Sequence, residues 1–219
     1  MSDAKRVLCY GDSLTWGWVP VDPAQPAYRY SWERRWTGVM AIELGEKYEV
    51  IEEGLSGRTT DLNDPYDSRL NGAAYFPTAL ATHLPLDLVV IMLGTNDTKF
   101  HFQRMPLDIA LGMARLVGQV AVCAGVVGTM YRPPAVLVVA PPPLGEMRHS
   151  WFAELFKDGR KKTVKLAHHY QMMAEFLRVF YTDAGSFVST DGIDGVHFTE
   201  ENNASLGIAL AATVRRILA

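Results

Sequence analysis

Cysteine is scarce in this chain: there are two among 219 residues, Cys9 and Cys123, far apart and without Cys-x-x-Cys or Cys/His ligand spacing. That excludes a disulfide framework and a zinc ribbon, and both thiols read as small core residues. His83, His101, His149, His168 and His169 show no paired ligand spacing with carboxylates, so no metal and no other cofactor is expected. Basic runs are also few. Lys5-Arg6 and Arg160-Lys161-Lys162 sit in a chain of net charge -3, so neither nucleic acid nor a membrane is an expected partner. No apolar stretch approaches the roughly 20 residues of a membrane helix. The first strand-like run begins within about six residues of Met1, so no signal peptide is expected and a cytoplasmic location is the expectation. No repeat or low-complexity linker divides the chain. With 48% hydrophobic and 21% charged residues, it has the balance of one globular domain, 1–219.

Within that frame, four segments carry chemistry. Val7-Leu8-Cys9-Tyr10 is a short apolar run that stops at Gly11-Asp12-Ser13-Leu14. It predicts a buried parallel strand that delivers a serine to the carboxyl edge, where open α/β sheets bind ligands. Asp194-Gly195-Val196-His197 near the C-terminus can supply the base that a serine hydroxyl needs and the carboxylate that holds the imidazole in one tautomer. Asp191, six residues before His197, competes with Asp194 for that orienting role as the weaker candidate. Gly94-Thr95-Asn96-Asp97 follows the apolar run Leu88 to Leu93, and an Asn amide is a suitable donor to an oxyanion. Glu53 to Thr59 follows another short run and offers the backbone N–H of Gly57.

The wider pattern alternates strands and helices, as a doubly wound sheet requires. Strands are expected at Arg6–Tyr10, Tyr48–Glu52, Asp87–Leu93, Ala135–Ala140 and Val179–Asp183. Helices are expected over Trp32–Gly45, from Pro106 and Leu107 to about Ala124, Trp151–Phe156, Lys162–Leu177 and Glu200–Leu218. The apolar face of the second includes Ile109, Leu111, Met113, Leu116 and Val120. Val19–Tyr30 and Asp61–Leu84 read as long irregular stretches leaving the carboxyl edge, and such lengths are uncommon unless they line a site, bind a partner or hold local helix.

Together the four segments resemble the GDSL esterases in their SGNH-hydrolase branch, named for serine, glycine, asparagine and histidine. Gly-Asp-Ser-Leu-Thr-Trp-Gly-Trp-Val-Pro, Glu-Glu-Gly-Leu-Ser, Arg-Leu-Asn-Gly-Ala and Gly-Thr-Asn-Asp-Thr-Lys are similar to the bacterial arylesterase, acyltransferase and perhydrolase subgroup. The resemblance implies a three-layer α/β/α sandwich with a five-stranded parallel sheet, flavodoxin-like in order. It implies Ser13 as nucleophile, His197 as base, Asp194 as orienter, and the Ser13 N–H, Gly57 N–H and Asn96 side chain as oxyanion donors. Gly57 stands where alanine occurs in some members; an N–H donor needs no side chain. Leu14, Trp16, Trp18 and Ser56 are the expected channel lining, with one of the two tryptophans equally suited to core packing. The implied activity is hydrolysis of short-chain aryl and alkyl esters through an acyl-enzyme, with an alcohol or hydrogen peroxide as alternative acyl acceptors. A carbohydrate acetylesterase or a lysophospholipase-type esterase is the alternative on the same scaffold. The resemblance implies as well a closed homo-oligomer, such as an octamer, in which neighbouring subunits narrow the entrance to each site.

Overall fold

The computed structural model describes residues 4–22, 25–123 and 129–219. Five parallel strands form one sheet in the order β2-β1-β3-β4-β5: β1 (Lys5–Gly11), β2 (Tyr48–Gly54), β3 (Leu88–Met92), β4 (Ala135–Ala140) and β5 (Phe180–Asp183). The helices are α1 (Ser13–Trp16), α2 (Trp36–Leu44), α3 (Gly72–His83), α4 (Pro106–Ala121), α5 (Ser150–Leu155), α6 (Gly159–Leu177) and α7 (Glu200–Ile217).

Strand alternation assigns the layers. Leu8, Tyr10, Val89, Ile91, Val136 and Val138 pack with Phe76 and Leu80 of α3, Ile109, Met113 and Leu116 of α4, and Leu166 and Tyr170 of α6. Their neighbours Val7, Cys9, Leu88, Val90, Met92, Leu137 and Val139 pack on the other face with Trp36 and Met40 of α2 and Leu206, Leu210 and Val214 of α7. The three central strands are apolar on successive positions because helices cover both faces. The chain steps from β1 outward to β2 and then back past β1 to β3. That leaves a crevice at the carboxyl ends of β1 and β3, the switch point of the topology.

Several expectations need correction. Trp32–Gly45 is not one helix: a 3₁₀ turn at Trp32–Arg34 ends where Arg35 is extended, and α2 starts after it. α3 occupies much of the stretch read as irregular. Its internal Pro77 cannot donate to the carbonyl of Ala73, and the Gln119 side chain of α4 supplies that hydrogen bond at 2.8 Å instead. α4 ends at Ala121, and Ala124 lies outside the described residues. Leu111 faces solvent, 61% exposed, rather than the core. Cys9 is fully buried, whereas Cys123 is partly covered at the core margin.

Candidate active site

Ser13 opens the single turn of α1 directly beyond β1. Asp12 caps that turn: its Oδ1 accepts from Leu14 N at 2.9 Å, and its carbonyl accepts from Trp16 N at 2.8 Å. The serine is thereby held at the crevice with its Oγ 2.8 Å from His197 Nε2. His197 Nδ1 lies 2.7 Å from Asp194 Oδ2, and Asp194 Oδ1 accepts from the N–H groups of Val196 and His197, both at 2.9 Å. Gly195 makes this fold-back: its φ is +72°, and a Cβ there would meet the carbonyl of Glu146 at 2.5 Å. Burial pushes the Asp194 carboxyl up, but the hydrogen bond and charge of His197 outweigh it, leaving Asp194 below the usual carboxylate range.

Asp191 does not reach the imidazole. Its two oxygens accept from Thr199 N at 3.0 Å and Thr199 Oγ1 at 2.6 Å, at the N-cap of α7. The structure therefore pairs His197 with Asp194 and gives Asp191 the work of holding the loop that ends in α7.

The three expected oxyanion donors border one cavity, but they are not equivalent. Among the described residues, neither the Ser13 N–H nor the Gly57 N–H has a hydrogen-bond acceptor. Gly57 has φ +89°, a conformation in which alanine would be strained. The Asn96 Nδ2 already donates to Asp12 Oδ2 and to the carbonyl of Arg58, both at 3.2 Å. Asn96 is thus fixed from two sides, by the loop of Ser13 and by the loop of Gly57.

A second, deeper brace lies next in sequence. Asp97 is fully buried and accepts from Thr60 N at 3.0 Å and Thr60 Oγ1 at 2.5 Å, with Arg104 Nη1 at 3.3 Å. It ties the loop after β3 to the loop after β2, so two of the expected oxyanion donors sit on mutually anchored backbones. Arg58, also buried, lies over the Tyr10 ring at 4.1 Å and donates to the carbonyls of Gly11 and Glu53, closing the same seam against β1. Burial pushes the Asp12 carboxyl up to about 6, against the Leu14 N–H and the charge of His197.

The cavity holds about 260 Å³, and Ser13, Gly57, Asn96 and His197 border it with Trp18 and Ser56. Of the two tryptophans, Trp18 borders the cavity. Trp16 stands behind it, centroid to centroid 6.0 Å, under the Arg29 guanidinium. Leu14 is a correction: it is 3% exposed and belongs to the core between the sheet and α2 and α7. The sequence reading missed five wall residues, Lys99, Phe152, Leu155, Phe156 and Val196. Phe152, Leu155 and Phe156 come from α5 and its end, an element whose placement over the crevice no local pattern announces. Lys99 could have been found, because it lies three residues beyond Asn96. Among the described residues no cluster of His, Cys, Asp and Glu could hold a metal, and no helix is long and apolar enough to cross a membrane.

A serine in hydrogen-bond contact with a histidine, at the switch point of a 2-1-3-4-5 parallel sheet and flanked by glycine and asparagine loops, defines the SGNH class of hydrolases. The chain belongs to the GDSL-like lipase/acylhydrolase family, whose family model matches residues 9–204. Its structure is similar to that of an aryl esterase of M. smegmatis, with 62% identity, TM-score 0.96, and coverage of 98% of this chain and 100% of that one. It is similar also to a carbohydrate acetylesterase from Sinorhizobium meliloti, with 57% identity, TM-score 0.96, and coverage of 97% and 99%. A second S. meliloti member of the carbohydrate acetylesterase family has 41% identity, TM-score 0.91, and coverage of 98% and 99%. No curated protein gives a significant match.

Proposed function

We propose that the protein is a serine esterase acting on short-chain aryl and alkyl carboxylic esters through an acyl-enzyme. The observation that carries this reading is the continuous hydrogen-bonded chain Ser13–His197–Asp194 opening into a small cavity. His197 Nε2 takes the Ser13 proton as Oγ attacks the ester carbonyl, and Asp194 holds the imidazolium that forms. The oxyanion falls to the free N–H groups of Ser13 and Gly57 and to Asn96, which shifts one hydrogen from the Arg58 carbonyl. His197 then passes the proton to the departing alcohol.

The acyl-enzyme is resolved by water, or by an alcohol or hydrogen peroxide in transfer and perhydrolysis. The aromatic wall of Trp18, Phe152 and Phe156 supports a channel poor in competing water. At about 260 Å³ the cavity lies below the roughly 300–1,000 Å³ typical of drug-sized ligands. This favours acetyl-sized groups over the long chain of a lysophospholipid. Acetylated sugars are the second reading, supported by the acetylesterase similarity. Turnover of aryl acetates, acetylated sugars and long-chain esters, each with wild type and Ser13→Ala, tests the proposal. Ser13-dependent turnover falling steeply with acyl length is expected, and turnover that survives Ser13→Ala overturns it.

A closed homo-oligomer is part of the same proposal. Tyr66, 88% exposed in the loop between β2 and α3, and Trp151, 69% exposed on α5, are surfaces that a neighbouring subunit would cover.

A further inference from the structure

The active-site cavity contains a cation to which nothing in the proposed chemistry gives a task. Lys99 borders it together with Ser13, Gly57 and Asn96 and with the apolar side chains Phe152, Leu155, Phe156 and Val196. Its backbone is pinned: Lys99 N donates to the Asn96 carbonyl at 3.2 Å, and its own carbonyl accepts from Phe102 N at 3.1 Å. The side chain is half-buried, and among the described residues its ammonium has neither a hydrogen-bond acceptor nor an ion-pair partner.

Other inward-facing cations of this protein are served. Arg35 meets Glu52 at 2.8 Å, Arg104 meets Asp61 at 2.6 Å and Asp97 at 3.3 Å, and Arg58 donates to two carbonyls. The carboxylates that act on Lys99 through space are Asp64, Asp12 and Asp97. Each is already occupied: Asp64 by the N–H groups of Tyr66 and Asp67, Asp12 by Leu14 and Asn96, Asp97 by Thr60 and Arg104. Burial outweighs their combined field and pulls the Lys99 ammonium below the usual lysine value. A cation left short of negative charge in a partly desolvated wall gains most from a ligand that brings an anionic oxygen, since charge-assisted hydrogen bonds are roughly twice as strong as neutral ones.

Resting on the esterase reading, we propose that Lys99 is a specificity residue that binds a carboxylate on the non-reacting part of the ester, so that the site favours anionic esters over their neutral counterparts. The test compares 4-acetoxybenzoate with its methyl ester, which share the scissile acetate and differ in one charge, on wild type, Lys99→Met and Lys99→Arg. Lys99→Met should lower kcat/KM for 4-acetoxybenzoate about tenfold or more, chiefly through KM, as expected for lost ground-state binding. It should leave the methyl ester within about threefold, and Lys99→Arg should restore most of the preference. Equal losses on both substrates, or no loss on the anionic one, overturn the assignment. Failure of the esterase reading is distinct: wild type would then turn over neither substrate in a Ser13-dependent way.

Discussion

Trp18 lies almost parallel to the imidazole of His197, with ring centroids 5.2 Å apart and an angle of 19° between the planes. The indole covers one face of the base while Asp194 and Ser13 occupy its two nitrogens. The ring is thereby restrained in tilt as well as in direction. Trp18→Ala should lower kcat more than it raises KM, and the histidine C–H resonances should broaden; an unchanged kcat argues that the stacking merely fills space.

Ser13→Ala should abolish ester turnover, by about 10⁶-fold, with the fold retained. An organophosphonate should label Ser13 alone in the wild type, as mass spectrometry of the tryptic peptides can check.

The two aspartates before His197 should separate cleanly. Asp194→Asn leaves the imidazole without its orienting acceptor and should cost roughly 10⁴-fold in kcat near neutral pH. Asp191→Asn should leave kcat nearly intact and cost about 1 kcal/mol of stability through the weakened α7 cap, read by urea denaturation. The reverse order would refute the Asp194–His197 pairing.

Asp12 should reveal itself in pH dependence. Its folded carboxyl stands at about 6, above the unfolded value near 3.8. Protonation on folding therefore stabilises the wild type fully below about pH 4, and this contribution, on the order of 3 kcal/mol, is lost as pH rises through 6. Asp12→Asn removes that slope, so the wild type should gain stability relative to the variant on acidification from pH 7 to 4. An asparagine also has only one acceptor for two donors, Leu14 N and Asn96 Nδ2. Turnover should fall toward the 10² to 10³-fold loss, in order of magnitude, of Asn96→Ala. Parallel pH profiles of stability for the two proteins would contradict the assignment.

Light scattering should give a mass several times the 24.3 kDa of one chain. A monomer at micromolar concentration would remove the proposed oligomer and its role in covering Tyr66 and Trp151.

The sheet was legible in the sequence because its central strands are short apolar runs that stop at a breaker, Gly11 after the first, Gly94 just beyond β3 and Pro141-Pro142-Pro143 after β4, and Ala135–Ala140 coincides with β4 to the residue. Ser13, Asn96, Gly57 and His197 were legible for the same reason: each follows a recognisable strand or precedes the last helix. α3 was not, because Asn71-Gly72 and Pro77 look like breakers, and the donor that replaces the missing N–H of Pro77 is the Gln119 side chain, 46 residues beyond the Ala73 carbonyl it serves. Leu14 was misassigned because adjacency to a nucleophile in sequence says nothing about direction. On the turn of α1, Ser13 faces the crevice while Leu14 faces the core between the sheet, α2 and α7. The wall supplied by α5 depends on a long-range placement that no periodicity encodes.

The parts of the site belong to two different structural neighbourhoods. Ser13, Gly57 and Asn96 follow three adjacent strands, whereas Asp194 and His197 arrive on the segment leading into α7, clasped by Asp191 to Thr199 and by Gly145 N to the Gly195 carbonyl at 2.8 Å. Opening of that C-terminal segment would withdraw the base while the sheet and the oxyanion donors stayed assembled. If that segment opened before the sheet melted, activity on warming would be lost ahead of global unfolding, and amide hydrogen exchange at the start of α7 would report that limit separately from Tm.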